Sequence, residues 1–412
     1  MIGGGRRLRT FAALRHREFR LLWSGQATTS MAGWMDQVAR GWLMYELTSS
    51  PLQLGLVLGI RAIPILVLSP VAGSVADHYP RRRLVVVTQA VTGVMYAGLA
   101  ALVAGGLVRP WHLYAMAVGM SIVQTFHQPA RAAMIADAVP PEQLTNAIGL
   151  NSIMFNVARS TGPALAGVLI ATSGMASCFA VQAGLHLLAL AWTLALRADP
   201  PAAAGAAGRH ARRTALGGIV EGLAFSWRTP EVRAGLLVTT TASLLIMPFS
   251  TLLPVFARDL LRVGAHGQGG LLTAMGLGAL CSAFLVASLG DRLPRGPLML
   301  GGVTLYGLSV VAFAASPSFG LSLAVMVVVG VAHVSSYALV QTVVQTYSPS
   351  AFRGRTMAVF QMGEVVFTLG AMLAGTLAAT VGARWAAAGM GAAGALVTLV
   401  ITASQPQARR IR

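Results

Sequence analysis

The residues best suited to chemistry are a few charged side chains that interrupt long apolar stretches. Asp36 and Arg40 are four residues apart, so on a helix they lie on one face and within reach of each other. Glu364 lies in another apolar stretch and has no basic residue three or four positions away. A buried carboxyl group without a partner can take up and release a proton near neutral pH. We therefore predict proton coupling through Asp36 and Glu364, with Arg40 tuning Asp36.

Each of these charges also has a simpler interpretation. Asp36 and Arg40 can merely neutralise each other, and Glu364 can pair with an arginine on another helix, for which Arg61 and Arg159 are candidates. The two arginines can equally bind an anionic group of a ligand, since a charge buried in a membrane is costly and usually has a function. Three arginines and two carboxylates leave this interior near +1. Such an interior suits neutral, zwitterionic or anionic compounds at least as well as cations.

The elements that must position these residues follow from the composition. Of the 412 residues, 55% are hydrophobic and 10% are charged, whereas a soluble domain averages about 25% charged residues. The composition excludes an ordinary soluble protein, a disordered chain and a nucleic-acid-binding domain, even though the net charge is +18. We predict an all-α membrane protein with 12 transmembrane helices, each about 20 residues or longer. The predicted helices cover residues 19–47, 51–76, 84–105, 110–136, 144–173, 176–196, 233–257, 269–289, 296–315, 319–347, 355–381 and 384–404.

Residues 197–232 separate two predicted six-helix bundles, 1–196 and 233–412. The separating segment holds Pro200, Pro201, an Ala/Gly-rich stretch and several arginines, a composition that predicts a central cytoplasmic loop. With the N-terminus in the cytoplasm, 23 arginines fall on the cytoplasmic side and four on the other. Because membrane proteins concentrate basic residues on the cytoplasmic side, the bias predicts that both termini are cytoplasmic.

An internal repeat relates the two bundles. Residues 162–174 resemble residues 370–382 at an offset of 208, and residues 77–81 resemble residues 291–295 at an offset of 214. Each helix of the first bundle therefore corresponds to the helix six places later. Two pseudo-symmetric halves in parallel repeat are a known transporter plan, in which the substrate binds between the halves near the middle of the membrane.

The loop after the second predicted helix resembles the signature of the major facilitator superfamily, and the resemblance covers nearly the whole chain. The signature runs from Gly73 through Asp77 to the arginines at 81–83, and a degenerate copy follows the eighth helix. We expect Asp77 to accept hydrogen bonds from a helix N-terminus of the other half, as a latch that closes the cytoplasmic side. The alternative is that the arginines only set the topology. The residues expected to gate the conformational change are Gly73, Asp77, Arg81, Arg82, Arg131, Asp291, Arg295 and Arg355.

Two further segments resemble particular subgroups of this superfamily. Residues 162–167 are similar to the fifth-helix motif of the antiporter branch, in which Gly162 and Gly167 let helices approach closely and Pro163 bends the helix. Residues 34–57 are similar to the drug:proton antiporter subgroup with 12 helices that includes macrolide and enterobactin exporters. The resemblance places helices 1, 5 and 11 around a cavity. We expect the substrate cavity to be lined by Trp34, Arg61, Phe155, Asn156, Arg159, Phe360 and Phe367.

The resemblance implies a proton-coupled exporter of small amphipathic or hydrophobic compounds such as drugs, which works by alternating access. We expect a monomer in the bacterial cytoplasmic (inner) membrane, with a small-molecule substrate, protons and the lipid bilayer as partners and no cofactor, metal or nucleic acid. An exporter of a siderophore or pathway metabolite, or a lysolipid transporter without proton coupling, fits the same motifs. A membrane enzyme is disfavoured because the loops hold no nucleotide fingerprint, metal-ligand spacing or Ser/His/Asp constellation. A scaffold would have no use for the buried charges.

Overall fold

The computed structural model describes residues 11–197, 215–289, 294–405 and 407–411, and these residues form helices joined by short turns. The helices before residue 197 are α1 (Arg17–Thr48), α2 (Pro51–Gly59), α3 (Ala62–His78), α4 (Arg81–Ala104), α5 (Pro110–Asp137) and α6 (Leu144–Leu194). The later helices are α7 (Ala215–Arg228), α8 (Pro230–Thr241), α9 (Leu253–Val255), α10 (Gly264–Leu289), α11 (Arg295–Ala315), α12 (Phe319–Thr346), α13 (Ser350–Gln361), α14 (Gly363–Val381) and α15 (Ala383–Ser404). The prediction of an all-helical membrane protein is confirmed.

Proline and glycine determine many of the helix ends. The helices α2, α5 and α8 begin with Pro51, Pro110 and Pro230, at a position where the missing N–H of proline costs no hydrogen bond. Gly174 has a φ of 82° inside α6, and Gly382 has a φ of 86° between α14 and α15. Both angles lie in the region that favours glycine, and the two residues are 208 positions apart. The internal repeat thus appears in the backbone itself.

The observed helices differ from the predicted ones mainly in five places. The predicted second helix is divided into α2 and α3, and the predicted eleventh helix into α13 and α14. The predicted fifth and sixth helices form the single helix α6, which leaves helical geometry only at Gly174. The predicted helix at 233–257 begins earlier, at Pro230, and after Thr241 it continues as π and 3-10 turns around α9 as far as Leu260. The predicted loop 197–232 contains the helix α7.

Nine stretches of the described residues are long and apolar enough to cross a membrane. The helices α1 and α5 are long enough, at 32 and 28 residues, but they carry more polar residues and are not among the nine. The stretch that contains α6 counts once, although Gly174 divides it into two arms. A total of 12 requires α1, α5 and both arms of α6 to cross as well.

Close helix contacts join the part of the chain before residue 197, the first half, to the part after residue 229, the second half. The contacts pair α2 with α14 and α6 with α10. A Cβ atom on Gly55 would lie 2.6 Å from the carbonyl oxygen of Ala371, and one on Gly269 would lie 2.5 Å from the carbonyl oxygen of Pro163. A larger side chain would therefore push the helices apart, so glycine is required for this close packing.

Candidate functional site

A cavity of about 960 Å³ lies between the two halves. Helices from both halves line it, and its volume is in the range of sites that bind small molecules. In the first half, the lining comes from α1 to α6, and in the second half it comes mainly from the segment 242–254 and from α12, α13 and α14. The site therefore exists only where the halves meet.

Polar contacts between the halves close the cavity at one end, called here the closed end. The hydroxyl of Tyr45, near the end of α1, donates a hydrogen bond to the carboxylate of Asp259 in the second half. The Nη1 atom of Arg258 donates to the carbonyl oxygen of Tyr45 at 3.1 Å and lies 3.3 Å from the hydroxyl oxygen of Ser49. The guanidinium group of Arg258 also lies 5.3 Å from the centre of the Tyr45 ring. These contacts hold the ends of α1 and of the 230–260 stretch together.

The cavity extends away from the closed end toward the end that carries Arg81 and Arg82, called here the arginine-rich end. Gln26 and Arg131 line it in that direction. The rings of Phe155 and Tyr337, which line its middle, are each 44% exposed. The middle of the cavity thus leaves aromatic surface accessible to a ligand.

The first half contributes a buried ion pair to the wall of the cavity. The Nη2 atom of Arg40 donates to the Oδ2 atom of Asp36, one helical turn away on α1, and the two residues are 8% and 3% exposed. Within the described residues, the second oxygen of Asp36 and the Nη1 atom of Arg40 have no hydrogen-bond partner. The fully buried Tyr96 lies beside this pair. Those two atoms of Asp36 and Arg40 are the unsatisfied polar groups that the pair presents in the described part of the chain.

Arg159 contacts an aromatic cluster in the middle of the cavity. Its guanidinium group lies 5.4 Å from the centre of the Trp34 ring, which is within the range of a cation–π interaction. The Trp34 ring meets the Phe155 ring edge to face, with centres 5.6 Å apart. Arg61 lines the same cavity from the break between α2 and α3. Charge and aromatic surface are therefore adjacent on this wall.

The second half supplies an aromatic wall of its own. The rings of Tyr337 and Phe360 lie 5.1 Å apart, and the ring of His333 lies 6.3 Å from that of Tyr337. Phe367 lines the cavity one turn beyond the start of α14. A ligand in the cavity would thus contact aromatic rings on both sides.

The structure brings together most of the residues predicted for the substrate cavity and for proton coupling. The cavity lining includes Trp34, Asp36, Arg40, Arg61, Phe155, Arg159, Phe360 and Phe367. Asn156 is not part of the lining, and its amide group donates to the carbonyl oxygen of Ser152 on its own helix, at 2.8 Å. Glu364 lies in α14, but its side chain is outside the described residues; its neighbour Gly363 lines the cavity.

The predicted gating arginines bind partners within the first half or on α7. Arg81 pairs with Asp137 at 2.5 Å, and Arg82 donates to the backbone carbonyl oxygens of residues 193 and 194 at 3.2 and 2.6 Å. Arg131 is buried and donates to the carbonyl oxygen of residue 22 at 3.1 Å. Arg355 pairs with Glu221 of α7 at 2.6 Å. None of these contacts, all between described residues, joins the two halves, and the latch at Asp77 stays a prediction.

The other predicted gating residues are less fully described. Arg295 begins α11. Gly73 and Asp77 belong to α3, but their side-chain surroundings are outside the described residues, and so is Asp291 altogether.

The predicted helix-bend motif mediates close packing on two sides of α6. A Cβ atom on Gly162 would lie 2.8 Å from the Cβ of Trp34, and one on Gly167 would lie 3.0 Å from the Cα of His266. The helix α6 continues through Pro163 and departs from helical geometry only at Gly174. The motif therefore brings α6 close to α1 in its own half and to α10 in the other.

Several residues of the site were not predicted from the sequence. Tyr45 and Asp259 are 214 positions apart, and no local pattern relates them. Tyr96 and Tyr337 resemble ordinary membrane aromatics in the sequence. A usable signal was present in the polar residues of α5, where Gln124, Gln128 and Arg131 recur at helical spacing and all line the cavity.

Comparison with known protein families identifies the family of this chain. Residues 8–409 match the family described as transmembrane secretion effectors, a branch of the major facilitator superfamily. The chain belongs to this family. The resemblance predicted from the loop and fifth-helix motifs is thereby confirmed.

Named relatives of this transmembrane secretion effector include two efflux proteins. The multidrug efflux pump Tap of Mycolicibacterium fortuitum is 30% identical over 356 residues, which cover 84% of this chain and 85% of the relative. Macrolide efflux protein A of Streptococcus pyogenes is 23% identical over 304 residues, which cover 74% of each chain. A bacterial homologue of the human lysosomal transporter Spinster, solved in an inward-facing and unoccupied conformation, shares the fold with a TM-score of 0.70. That structure is 16% identical and covers 99% of this chain and 98% of its own.

These relations settle the class of this transmembrane secretion effector. It is a transporter of the major facilitator superfamily and a multi-pass protein of the bacterial cytoplasmic membrane. Its partners are a small-molecule substrate and the lipid bilayer.

Proposed function

We propose that the protein is a proton-coupled exporter of small amphipathic compounds, including drugs, that works by alternating access as a monomer. The observation that carries this proposal is the cavity of about 960 Å³ between the halves, closed at one end and walled by a buried ion pair. The efflux relatives support the direction of transport. The buried ion pair supports proton coupling, because protonation of its carboxylate would change the charge of the cavity wall.

The arginine bias supports a definite orientation in the membrane. We place the arginine-rich end and both termini in the cytoplasm, since basic residues accumulate on that side. The nine apolar stretches, α1, α5 and the second arm of α6 then give 12 crossings in two bundles, 1–196 and 233–412. In this orientation the cavity faces the cytoplasm, where an exporter collects its substrate.

Proton coupling is proposed to run through Asp36 and Glu364. Protonation of Asp36 would remove the negative partner of Arg40, and a buried pair that loses one partner leaves the other charge uncompensated. The freed guanidinium group is then available to a substrate or to water. Three histidines also line the cavity, of which His127 bonds to the Thr88 hydroxyl at 2.8 Å and His186 to a backbone carbonyl at 3.0 Å. Asp36 is the more direct candidate because it carries the charge that holds Arg40 in place.

Alternating access requires the cytoplasmic side to close when the closed end opens. We propose that Asp77 forms the predicted latch in that second state, together with the arginines of the arginine-rich end. Arg81, which pairs with Asp137 here, and Arg355, which pairs with Glu221 of α7, would exchange partners as the halves approach. Asp77→Asn should then reduce the population of the state that opens outward.

A second candidate function is transport of a lysolipid without proton coupling. One observation favours it, a smaller pocket of about 160 Å³ between α7, α8, α13 and α14. This pocket shares Thr239, Phe360 and Gly363 with the main cavity, and Trp227, which is largely exposed, lies on its wall. A lipid-borne substrate would have a route from the bilayer through this pocket.

The deciding experiment measures proton flux in proteoliposomes with a trapped pH dye. Candidate compounds are added one at a time to the wild type, to Glu364→Gln and to Asp36→Asn. Glu142→Gln is the matched control, because Glu142 is an exposed carboxylate outside the cavity. Proton movement that a compound triggers, and that the two cavity variants lose, supports the exporter. Compound uptake without any proton movement contradicts it and favours the second candidate.

A further inference from the structure

We infer that the cavity selects compounds with an anionic group on an aromatic or apolar body, and that Arg159 binds the anionic group beside Trp34 and Phe155. The inference rests on the proposed transport of small amphipathic compounds and names their chemical class. It does not depend on proton coupling.

The charges on the described wall of the cavity are mostly positive. Four arginines line it, at positions 40, 61, 131 and 159, against one carboxylate, that of Asp36. Counting Glu364 as an ionised member of the same wall still leaves an excess of two positive charges. Walls of low dielectric strengthen the field inside a cleft lined by one sign of charge. Such a cavity attracts anions and repels cations.

Arg159 is the arginine best placed to bind a ligand. Arg40 is engaged by Asp36, and Arg131 is buried against a backbone carbonyl oxygen. The contact that the described residues make with the Arg159 guanidinium group is the face of the Trp34 ring, 5.4 Å away. A ring face offers the N–H bonds of a guanidinium group no oxygen acceptor. Those N–H bonds remain available to the cavity.

The geometry of a guanidinium group determines which anions fit. Its parallel N–H bonds match the two oxygens of a carboxylate, a sulfonate or a phosphate, which a lysine ammonium group cannot do. The hydrogen bonds of an ionised pair are also stronger than those between neutral groups. Arg159 therefore favours a ligand whose anionic group presents two oxygens.

The side chains around Arg159 favour an aromatic or apolar body for the ligand. The Trp34 and Phe155 rings flank it on the first half, and the Tyr337 and Phe360 rings form the wall of the second half. Aromatic rings bind flat apolar surface through stacked and edge-to-face contacts. The cavity volume of about 960 Å³ admits a body of several fused rings. An amphipathic anion would pair with the positive charge of Arg159 and contact these aromatic walls with its apolar body.

The test uses three fluorescent probes that share one body. Pyrenebutyrate, pyrenebutanol and pyrenebutyl-trimethylammonium carry a negative, a zero and a positive charge on the same aromatic skeleton. Binding to the purified protein in a non-ionic detergent is measured by fluorescence anisotropy at low ionic strength. We expect the anion to bind about tenfold or more tightly than the neutral probe, and the cation to bind most weakly. Equal binding of the three probes, or tighter binding of the cation, would overturn the inference.

Substitutions then test the assignment to Arg159. Arg159→Gln should remove most of the preference for the anion while keeping the affinity for the neutral probe. Arg159→Lys should keep part of the preference, and Arg353→Gln, an exposed arginine outside the cavity, should keep all of it. An unchanged anion-to-neutral ratio in Arg159→Gln overturns the assignment. If that variant does not fold, Arg159→Lys decides, because a loss of anion affinity of less than about threefold contradicts bidentate binding.

The result of this test can be distinguished from the result of the proton-flux experiment on the exporter proposal. The probe series is measured without a membrane or a proton gradient, so an anion preference without substrate-triggered proton flux would overturn the coupling alone. Proton flux triggered by cations, without an anion preference in the probe series, would overturn this inference alone.

Discussion

Replacing Asp36 by asparagine should destabilise the first half of the molecule. The Asp36 side chain is 4% exposed and that of Arg40 is 10% exposed, so water compensates neither charge. Removing one partner of a buried pair leaves an uncompensated charge and costs about 3–5 kcal/mol. Asparagine keeps the shape of aspartate and one acceptor oxygen, so we expect a loss near the lower end, about 3 kcal/mol.

A buried thiol provides the assay for this loss. Cys178 is fully buried, whereas Cys281 is exposed. In a Cys281→Ser background, a thiol-reactive fluorescent dye reports the exposure of Cys178 as the first half unfolds on heating. The variants Asp36→Asn and Arg40→Gln are compared singly and together. The double variant removes both charges, so it should unfold at a clearly higher temperature than Asp36→Asn alone.

One result would refute this reasoning. If Asp36→Asn unfolds at the wild-type temperature, the pair is not desolvated and the charge of Arg40 is compensated from elsewhere. A double variant no more stable than the single one would show that hydrogen bonding, and not charge balance, sets the stability. The exposed-carboxylate variant Glu142→Gln should stay within about 0.5 kcal/mol of the wild type and calibrates the comparison.

The remaining predictions concern the contacts between helices. Gly375→Val should push α14 away from α2, because a Cβ there would lie 2.6 Å from a backbone carbonyl oxygen. A cysteine placed in the cavity by Thr251→Cys should then react faster with an impermeant maleimide added from the closed end. The control Gly389→Val, whose added side chain meets open space, should leave that labelling rate unchanged. Arg258→Ala removes the bonds of that arginine to the first half, so it should raise the same labelling about fivefold to tenfold, and an unchanged rate would contradict a role in closure. Phe225→Ala removes the ring of α7 that stacks on α13, so trypsin should cleave near α7 faster than in the wild type; equal cleavage would show that the stacking does not hold α7 in place.

The sequence predicted the helices well because long apolar stretches punctuated by proline and glycine leave few alternatives. The predicted helices at 110–136 and 319–347 differ by one residue from α5 and α12. The helix α7 was missed because its Ala/Gly-rich surroundings are typical of a loop. Its stability comes from contacts distant in sequence, the stacking of Phe225 on Phe352 and the Glu221–Arg355 ion pair. Tertiary packing of this kind overrides local propensity.

The sequence predicted those site residues whose charge interrupts an apolar stretch. It did not predict contacts whose two partners lie in different halves. The spacing of Asp36 and Arg40 gave their pairing, because residues four apart on a helix meet. The contacts of Tyr45 with Asp259 and of Arg258 with α1 depend on how the halves pack, which no local pattern encodes. The orientation of an amide is equally a product of its surroundings. Asn156 bonds to its own helix although its position is one turn from Arg159.

The glycine contacts between the halves have a consequence for the balance of conformations. Where Gly55 faces Ala371 and Gly269 faces Pro163, backbone meets backbone and little side-chain area is covered. Because glycine has no side chain, parting these two contact points exposes little apolar side-chain surface, at about 25 cal/mol per Å². The two end states would then differ by a small free energy, of which a few bonds at Tyr45 and Arg258 form a large share. A change of about 1.4 kcal/mol in that share alters the ratio of the two populations tenfold, so binding of one proton or one ligand is enough to reverse it.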